Sequence, residues 1–377
     1  MLYIHIPFCH HKCTYCAFYS VARHRDTENY VNAICGEIDF RVRENPRWKK
    51  EKLRTVYIGG GTPSLLSASE LKKIIDCVAS HFDISDIEEA TIEMNPEDAT
   101  PIYLNELQKL HFFNRLSIGV QSFHNEDLRI INRVHNGLQA LEAIDNAAIA
   151  GFDNVSVDLI IGIPSQSAEK WEENLAMLSR HANFGTVKHL SCYELTVEPH
   201  TMLDRQIKTG RVVLPDDDDV AARYRKLKEW CSTNGFEQYE VSNFCRPGYR
   251  SLHNSRYWNH TPYLGIGAAA HSFDGHTRQW NIDDWQSYIA GIQNGKPVQE
   301  EEHLTDKQLY NEYIMTSLRT TDGIDKNMVD PKYAENLRRD IQRYVDKGLI
   351  KDCGRRYLPS EEGLLHADGM AADLFIV

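Results

Sequence analysis

Short β-branched or aromatic runs recur along the first two-thirds of the chain: Leu2–Ile6, Thr55–Ile58, Ala90–Met94, Arg115–Val120, Val155–Ile161 and His189–Leu195, with Gln238–Ser242 as a possible seventh. Between them lie stretches with helical spacing, Thr27–Val42, Ser67–His81, Ile102–Leu110, Gly137–Ala150 and Lys170–His181. Ser67-Ala-Ser-Glu70 fits a capping box, and Thr100-Pro101 fits an N-cap followed by proline at the first helical position. Strands alternating with helices predict parallel β-α units. Six in succession fit a doubly wound sheet or a full or partial barrel. The strand ends favour the barrel. Gly59-Gly60-Gly61, Glu93-Met94-Asn95-Pro96, Gln121-Ser122, Asp158 with Gly162-Ile-Pro164, and Tyr193-Glu194 fall at or near C-terminal strand ends, where barrel enzymes build their sites.

The pattern shifts near residue 275. Residues 305 to 349 read mainly as helix, Leu349-Ile350 with Arg356–Pro359 as a hairpin, and a further helix starts near Ser360–Gly363. This predicts two domains, an α/β barrel over 1–275 and a mainly helical, winged-helix-like domain over 276–377. A winged helix raises the question of nucleic acid. The chain carries 42 Lys and Arg against 54 Asp and Glu, a net charge of −12, and the wing itself has no basic excess. Nucleic-acid binding is therefore not expected. The Asp216–Asp219 run suits the first turn of a helix continuing through Ala221–Trp230.

Composition is that of a globular protein, 42% hydrophobic and 25% charged. No stretch approaches the roughly 18 apolar residues of a membrane span, and no basic-then-apolar leader opens the chain. A cytoplasmic location with reduced thiols is the expectation. The acidic balance gives no reason to expect anionic lipid as a partner, and membrane contact stays open.

Of the nine cysteines, three crowd into Cys9-His-His-Lys-Cys13-Thr-Tyr-Cys16, directly after the first predicted strand. Three thiolates at C-x3-C-x2-C spacing suit three corners of an iron–sulfur cube. Spacing alone leaves zinc open, with His10 or His11 as a fourth ligand. Cys192, Cys231 and Cys245 have no such spacing and read as buried thiols. Asp158, inside an apolar strand, must be paired or face a cavity, whereas Arg133 could equally be a surface residue.

Tyr3-Ile-His5-Ile-Pro7-Phe8-Cys9 through Tyr15-Cys16 resembles the signature of radical S-adenosylmethionine (SAM) enzymes. That resemblance implies a partial (β/α)6-type TIM barrel and a [4Fe–4S] cluster on Cys9, Cys13 and Cys16, with Tyr15 the aromatic residue of the pattern. It implies SAM on the open iron, reduced there to methionine and a 5′-deoxyadenosyl radical. It further implies SAM contacts at Tyr3, Gly60, Gly61, Thr62, Glu93, Gln121, Arg133 and Asp158, and a reductant for the cluster. Arg115–Ser122, Asp158–Pro164, His189–Leu195, Glu240–Phe244 and Tyr263–Gly267 resemble the coproporphyrinogen dehydrogenase-like (HemN-like) group. One branch of that group is oxygen-independent coproporphyrinogen III oxidase, whose substrate is a porphyrinogen. The other is a haem chaperone that passes haem to apo-haemoproteins. The oxidase pattern has a fourth cysteine where this chain has Phe18, and an N-terminal extension with no counterpart here. The chaperone's H-N-x-x-Y-W pattern matches His253-Asn254-Ser255-Arg256-Tyr257-Trp258. The resemblance therefore favours the chaperone, with haem as cargo, His253 as its leading contact and the oxidase as the alternative. From residues alone the motif could instead be a structural loop. His5, His10, His11 and His271 are further candidate ligands.

Overall fold

The computed structural model describes residues 1–22, 26–45, 48 and 51–377. Six strands run parallel and pair in chain order: β1 (Leu2–Ile6), β2 (Thr55–Gly60), β3 (Glu89–Met94), β4 (Arg115–Gln121), β5 (Val155–Ile161) and β6 (Val187–Glu194). The sheet does not close. β6 pairs with an antiparallel edge made of β7 (Glu237–Gln238) and β8 (Asn243–Cys245), and β1 pairs with β9 (Leu264–Ile266). The result is an open α/β barrel of six parallel strands. The run Gln238–Ser242 is not a seventh parallel strand. It breaks into a turn between β7 and β8, where the Val241 amide donates to Arg319 O.

Each parallel strand alternates with period two. Leu2, Ile4, Ile6, Val56, Ile58, Ala90, Ile92, Leu116, Ile118, Val155, Val157 and Leu190 enter one apolar core with the helices. The intervening residues are polar: Tyr3 and His5, Thr55 and Tyr57, Glu89 and Glu93, Arg115 and Ser117, Ser156 and Asp158, His189 and Ser191. A parallel sheet packed on both faces would be apolar on both. A polar inner face marks an interior built for hydrogen bonding. Ser156 Oγ, for example, lies 2.8 Å from His189 Nδ1, whose Nε2 lies 2.7 Å from the Tyr239 hydroxyl.

The helices begin where the sequence signals put them. Ser67 forms a full capping box with Glu70 ahead of Ala68–His81, and Thr100 caps Pro101–Lys109. Asp216 caps Asp217–Thr233, with the other acids in its first turn.

Two buried carboxylates tie distant elements together. Glu89, at the start of β3, accepts from the backbone N–H groups of Leu252 (2.7 Å) and His253 (3.1 Å) and from the Ser251 hydroxyl (3.3 Å). It thereby fixes the first turn of the Leu252–Trp258 helix to the sheet. Glu37, on the Thr27–Glu44 helix, accepts from Gly267 N–H (2.9 Å), Asn281 Nδ2 (2.8 Å) and the Tyr288 hydroxyl (2.7 Å).

A small antiparallel sheet follows: β10 (His271–Phe273), β11 (Thr277–Asn281) and β12 (Gln299–His303). The division expected after residue 275 falls in the turn between β10 and β11, inside one hairpin. A second apolar core gathers Tyr310, Ile314, Leu318, Ile341, Tyr357 and Met370. Helices Asp306–Leu318 and Pro331–Asp346 pack there beside β13 (Ile324–Asp325), β14 (Ile350–Asp352) and β15 (Arg356–Pro359), an arrangement of winged-helix kind. Among the described residues, no helix is long and apolar enough to cross a membrane.

Candidate functional site

The cysteine loop leaves β1 and is pinned at its ends. The Cys9 amide donates to Val21 O (3.0 Å), and the Val21 amide donates to Pro7 O (2.7 Å). Cys9, Cys13 and Cys16 are free, partly exposed thiols. Burial pushes the Cys9 and Cys16 thiols up, and a Thr62 hydrogen bond partly offsets this at Cys9. Tyr15 packs into a small apolar cluster with Leu128, Ile131 and Leu203, anchoring the loop from behind. Arg133 reaches the same loop. Its Nη1 lies 3.6 Å from Cys13 Sγ, and its Nη2 donates to Asn95 Oδ1 and Gly119 O, both at 2.6 Å. It is therefore no free surface residue, and its buried Nε lacks a partner among the described residues. Loop thiols on one pinned turn, with a guanidinium beside them, fit an anionic iron–sulfur cluster.

The turn after β2 closes against this loop. The Gly61 amide donates to Ile6 O (2.8 Å). A Cβ on Gly61 would sit 2.7 Å from Phe8 O and 2.9 Å from Cys9 Sγ. Gly60 has φ +117°, and a Cβ there would meet the His5 ring at 2.6 Å. Backbone is thus exposed where a side chain would fill the space. Thr62 Oγ1 accepts from Asn95 Nδ2 (3.2 Å), linking this turn to Arg133 through one asparagine.

Glu93, next to last in β3, lies beside that turn. It accepts from the Tyr57 hydroxyl (2.7 Å) and the Gly60 amide (3.0 Å). Burial raises its carboxyl to about 7, although the Tyr57 bond opposes the rise. Asp158, raised to about 6 mainly by burial, accepts from Ser117 and Ser156 hydroxyls at 3.3 Å. Gln121 has φ +67°, and it flanks Gly119 together with Arg133.

Beside these residues lies a cavity of about 950 Å3 lined by Tyr3, His5, Lys12, Gly60, Glu93, Tyr257, Tyr263, His271 and Trp280 among others. That is at the upper end of ligand pockets, about 300–1,000 Å3. Ala17 and Phe18 of the cysteine loop form part of its wall. Of the expected SAM contacts, Tyr3, Gly60 and Glu93 line this cavity. Gly61, Thr62 and Arg133 gather at the cysteine loop, Gln121 beside Arg133, and Asp158 between Ser117 and Ser156 on neighbouring strands.

A family described as the radical SAM superfamily matches residues 3–178. The heme chaperone HemW of Bacillus subtilis (strain 168) is 34% identical over 368 residues, 97% of this chain and 92% of that protein. The chain belongs to the HemW family of radical SAM proteins. HemW of Mycobacterium tuberculosis (strain ATCC 25618 / H37Rv) is 32% identical over 99% of this chain and 94% of its own length. HemW of Escherichia coli (strain K12) is 36% identical over 72% and 69%. Among solved structures, coproporphyrinogen III oxidase (HemN) from Escherichia coli superposes with a TM-score of 0.83 at 21% identity, over 99% of this chain and 89% of that one, a likeness of fold.

Within this HemW-family chain, the H-N-x-x-Y-W stretch is the Leu252–Trp258 helix and not a loop. His253 is fully buried. Its Nδ1 bonds Thr55 Oγ1 (3.0 Å) and its Nε2 the Tyr257 hydroxyl (3.2 Å). Burial lowers it to about 3, so it is neutral. As folded, both of its ring nitrogens are engaged within the protein, and neither is free toward the cavity. Tyr257, one turn on, does line the cavity, whereas Trp258 does not. Of the other histidines, His5 lines the cavity and His10 pairs with Asp98 (2.7 Å) at the loop. Cys192, Cys231 and Cys245 are buried, as expected.

Sequence reasoning missed Tyr57, Asn95, Tyr263 and Trp280. Asn95 stands inside the Glu93–Pro96 rim motif. Trp280 belongs to a hairpin whose Asp274-Gly275 turn is a recognised sequence signal.

Proposed function

We propose that the protein is a cytoplasmic haem chaperone that binds haem in the 950 Å3 cavity and hands it to apo-haemoproteins. The observation that carries this reading is the near full-length match to proteins named heme chaperone HemW, combined with an aromatic, imidazole-bearing cavity whose wall includes the cysteine loop. On this reading Cys9, Cys13 and Cys16 hold a [4Fe–4S] cluster. Tyr3, Gly60, Gly61, Thr62, Glu93, Gln121, Arg133 and Asp158 hold SAM. When bound, these groups supply one-electron chemistry that a reductant must feed. The chain's own residues do the rest. The Gly60–Gly61 backbone leaves room for the ligand, the Glu93 carboxylate meets its positive charge, and Arg133 braces the cysteine loop. Tyr257, Tyr263 and Trp280 offer flat apolar faces to a porphyrin.

The test is transfer. Anaerobically prepared protein is loaded with haem and mixed with an apo-haemoprotein. Saturable loading near one haem per chain, followed by the acceptor's Soret band growing at the donor's expense, is expected. No saturable loading, together with SAM-dependent consumption of coproporphyrinogen III under reducing conditions, would assign the oxidase reaction instead.

A further inference from the structure

Three imidazoles bear on the cavity or its floor. His5 has both ring nitrogens engaged, Nδ1 with the Tyr3 hydroxyl (3.0 Å) and Nε2 with Tyr19 O (3.1 Å). His253 is engaged at both nitrogens and fully buried. The third, His271, opens β10 and is exposed in the cavity wall. Among the described residues, neither of its ring nitrogens has a hydrogen-bond partner. Its ring stacks on Trp280 of the neighbouring strand, centroids 5.8 Å apart and planes 24° apart.

We infer that His271 is the axial ligand to the iron of haem bound in this cavity, an assignment that rests on the haem-binding reading above. An imidazole nitrogen is a common donor to haem iron, and it must be neutral and unengaged to serve. His271 meets both conditions. Burial, and then the charge of Arg278, holds it below the ordinary histidine value, so it is neutral at pH 7. No bond within the protein must break for it to coordinate. Recruiting His253 would strip the buried Thr55 and Tyr257 hydroxyls of their partner, and recruiting His5 would release Tyr3 and the Tyr19 carbonyl.

The surroundings offer flat faces to a macrocycle, in a lining where Lys12 stands among the carboxyl groups of Glu93, Asp283 and Glu300. Trp280 backs the imidazole on the outer wall. Tyr257 and Tyr263, edge to face with centroids 4.8 Å apart, belong to the same cavity. Lys12 supplies a cation for a propionate. The anchoring is firm, because β11 ends at Asn281, which Glu37 holds through its side-chain amide (2.8 Å).

Ferric haem is titrated anaerobically into the cluster-loaded full chain as wild type, His271→Ala, His271→Met and His253→Ala. Soret difference spectra and electron paramagnetic resonance are the readouts. Wild type is expected to bind saturably with an imidazole-ligated signature. His271→Ala should weaken binding at least about tenfold and lose that signature, and added free imidazole should restore it. His271→Met should bind with an altered spectrum, which keeps the test decisive if the alanine variant folds poorly. His253→Ala, which releases Tyr257, should lower affinity while keeping the imidazole-ligated signature. Saturable wild-type binding with an unchanged spectrum in both His271 variants would overturn the ligand assignment alone. No saturable binding by wild type would overturn the haem reading and the ligand with it.

Discussion

His253 Nε2 stands 3.2 Å from the Tyr257 hydroxyl, one helical turn away, and holds that phenol beside the cavity from a place the cavity does not reach. The histidine of the H-N-x-x-Y-W motif therefore acts through its tyrosine. His253→Ala should cost about 1–3 kcal/mol of stability by orphaning Thr55 Oγ1 and the Tyr257 hydroxyl. Denaturant melts measure this directly. Tyr257→Phe should leave His253 in place and change haem affinity more than it changes stability. The reverse ranking would refute a positioning role.

Arg133 places a guanidinium 3.6 Å from Cys13 Sγ. Its positive charge favours the more negative, reduced state of a cluster held there. Arg133→Gln should lower the reduction potential while iron and sulfide contents hold, as read by a redox titration followed by electron paramagnetic resonance. Cys13→Ala should abolish the broad visible absorption altogether. Retention of colour and iron in that variant would remove the cysteine assignment.

Glu93 titrates at about 7 in the folded protein against an ordinary 4.5, with Tyr57, Asp158 and Arg115 around it. A raised carboxyl binds its proton more tightly folded than unfolded. Stability from this group is present below pH 4.5 and is lost as pH rises through about 7, by up to about 3 kcal/mol. Glu93→Gln should flatten that slope in melts taken across pH 4.5–7.5. SAM is cationic at its sulfonium and ammonium groups, so its affinity should rise with pH through about 7 in wild type. Calorimetry on the glutamine variant should show a weaker affinity with little pH dependence.

Gly61→Ala would drive a Cβ to 2.7 Å from Phe8 O and 2.9 Å from Cys9 Sγ. The backbone on one side and a cluster thiol on the other leave no easy relaxation. We expect a folded protein with markedly reduced iron content after anaerobic reconstitution. Full iron loading with unchanged stability would mean that the turn and the cysteine loop are less tightly joined than their contacts indicate.

The parallel strands were legible because their apolar positions recur every second residue. β1 and β5 match their expected bounds, and the others differ by one or two residues at an end. The polar positions between them carried as much information, since Tyr3, Glu93 and Asp158 all fall on the inner register. What could not be read was which polar residues meet. The Arg133–Asn95–Thr62 link joins residues far apart in the chain and depends on strand order. The setting of His253 was hidden for a related reason. A motif gives residue type and spacing, but only the helix docked on Glu89 and Thr55 shows that its imidazole faces inward. The β10–β12 sheet escaped notice because its strands are short, polar and partly exposed, leaving only the Asp274-Gly275 turn as a signal.

Glu89 and Glu37 act as rivets for two walls of one chamber, the first holding the helix that carries Tyr257, the second the strand that carries Trp280. Pulling either loose would strand a buried anion. The walls are thus set when the chain folds, and a rigid planar guest surrenders only its own tumbling on entry. Such a chamber has no spring to eject what it holds. Departure is then drawn by a stronger claim from outside, and the recipient, rather than the carrier, decides how completely the guest is given up.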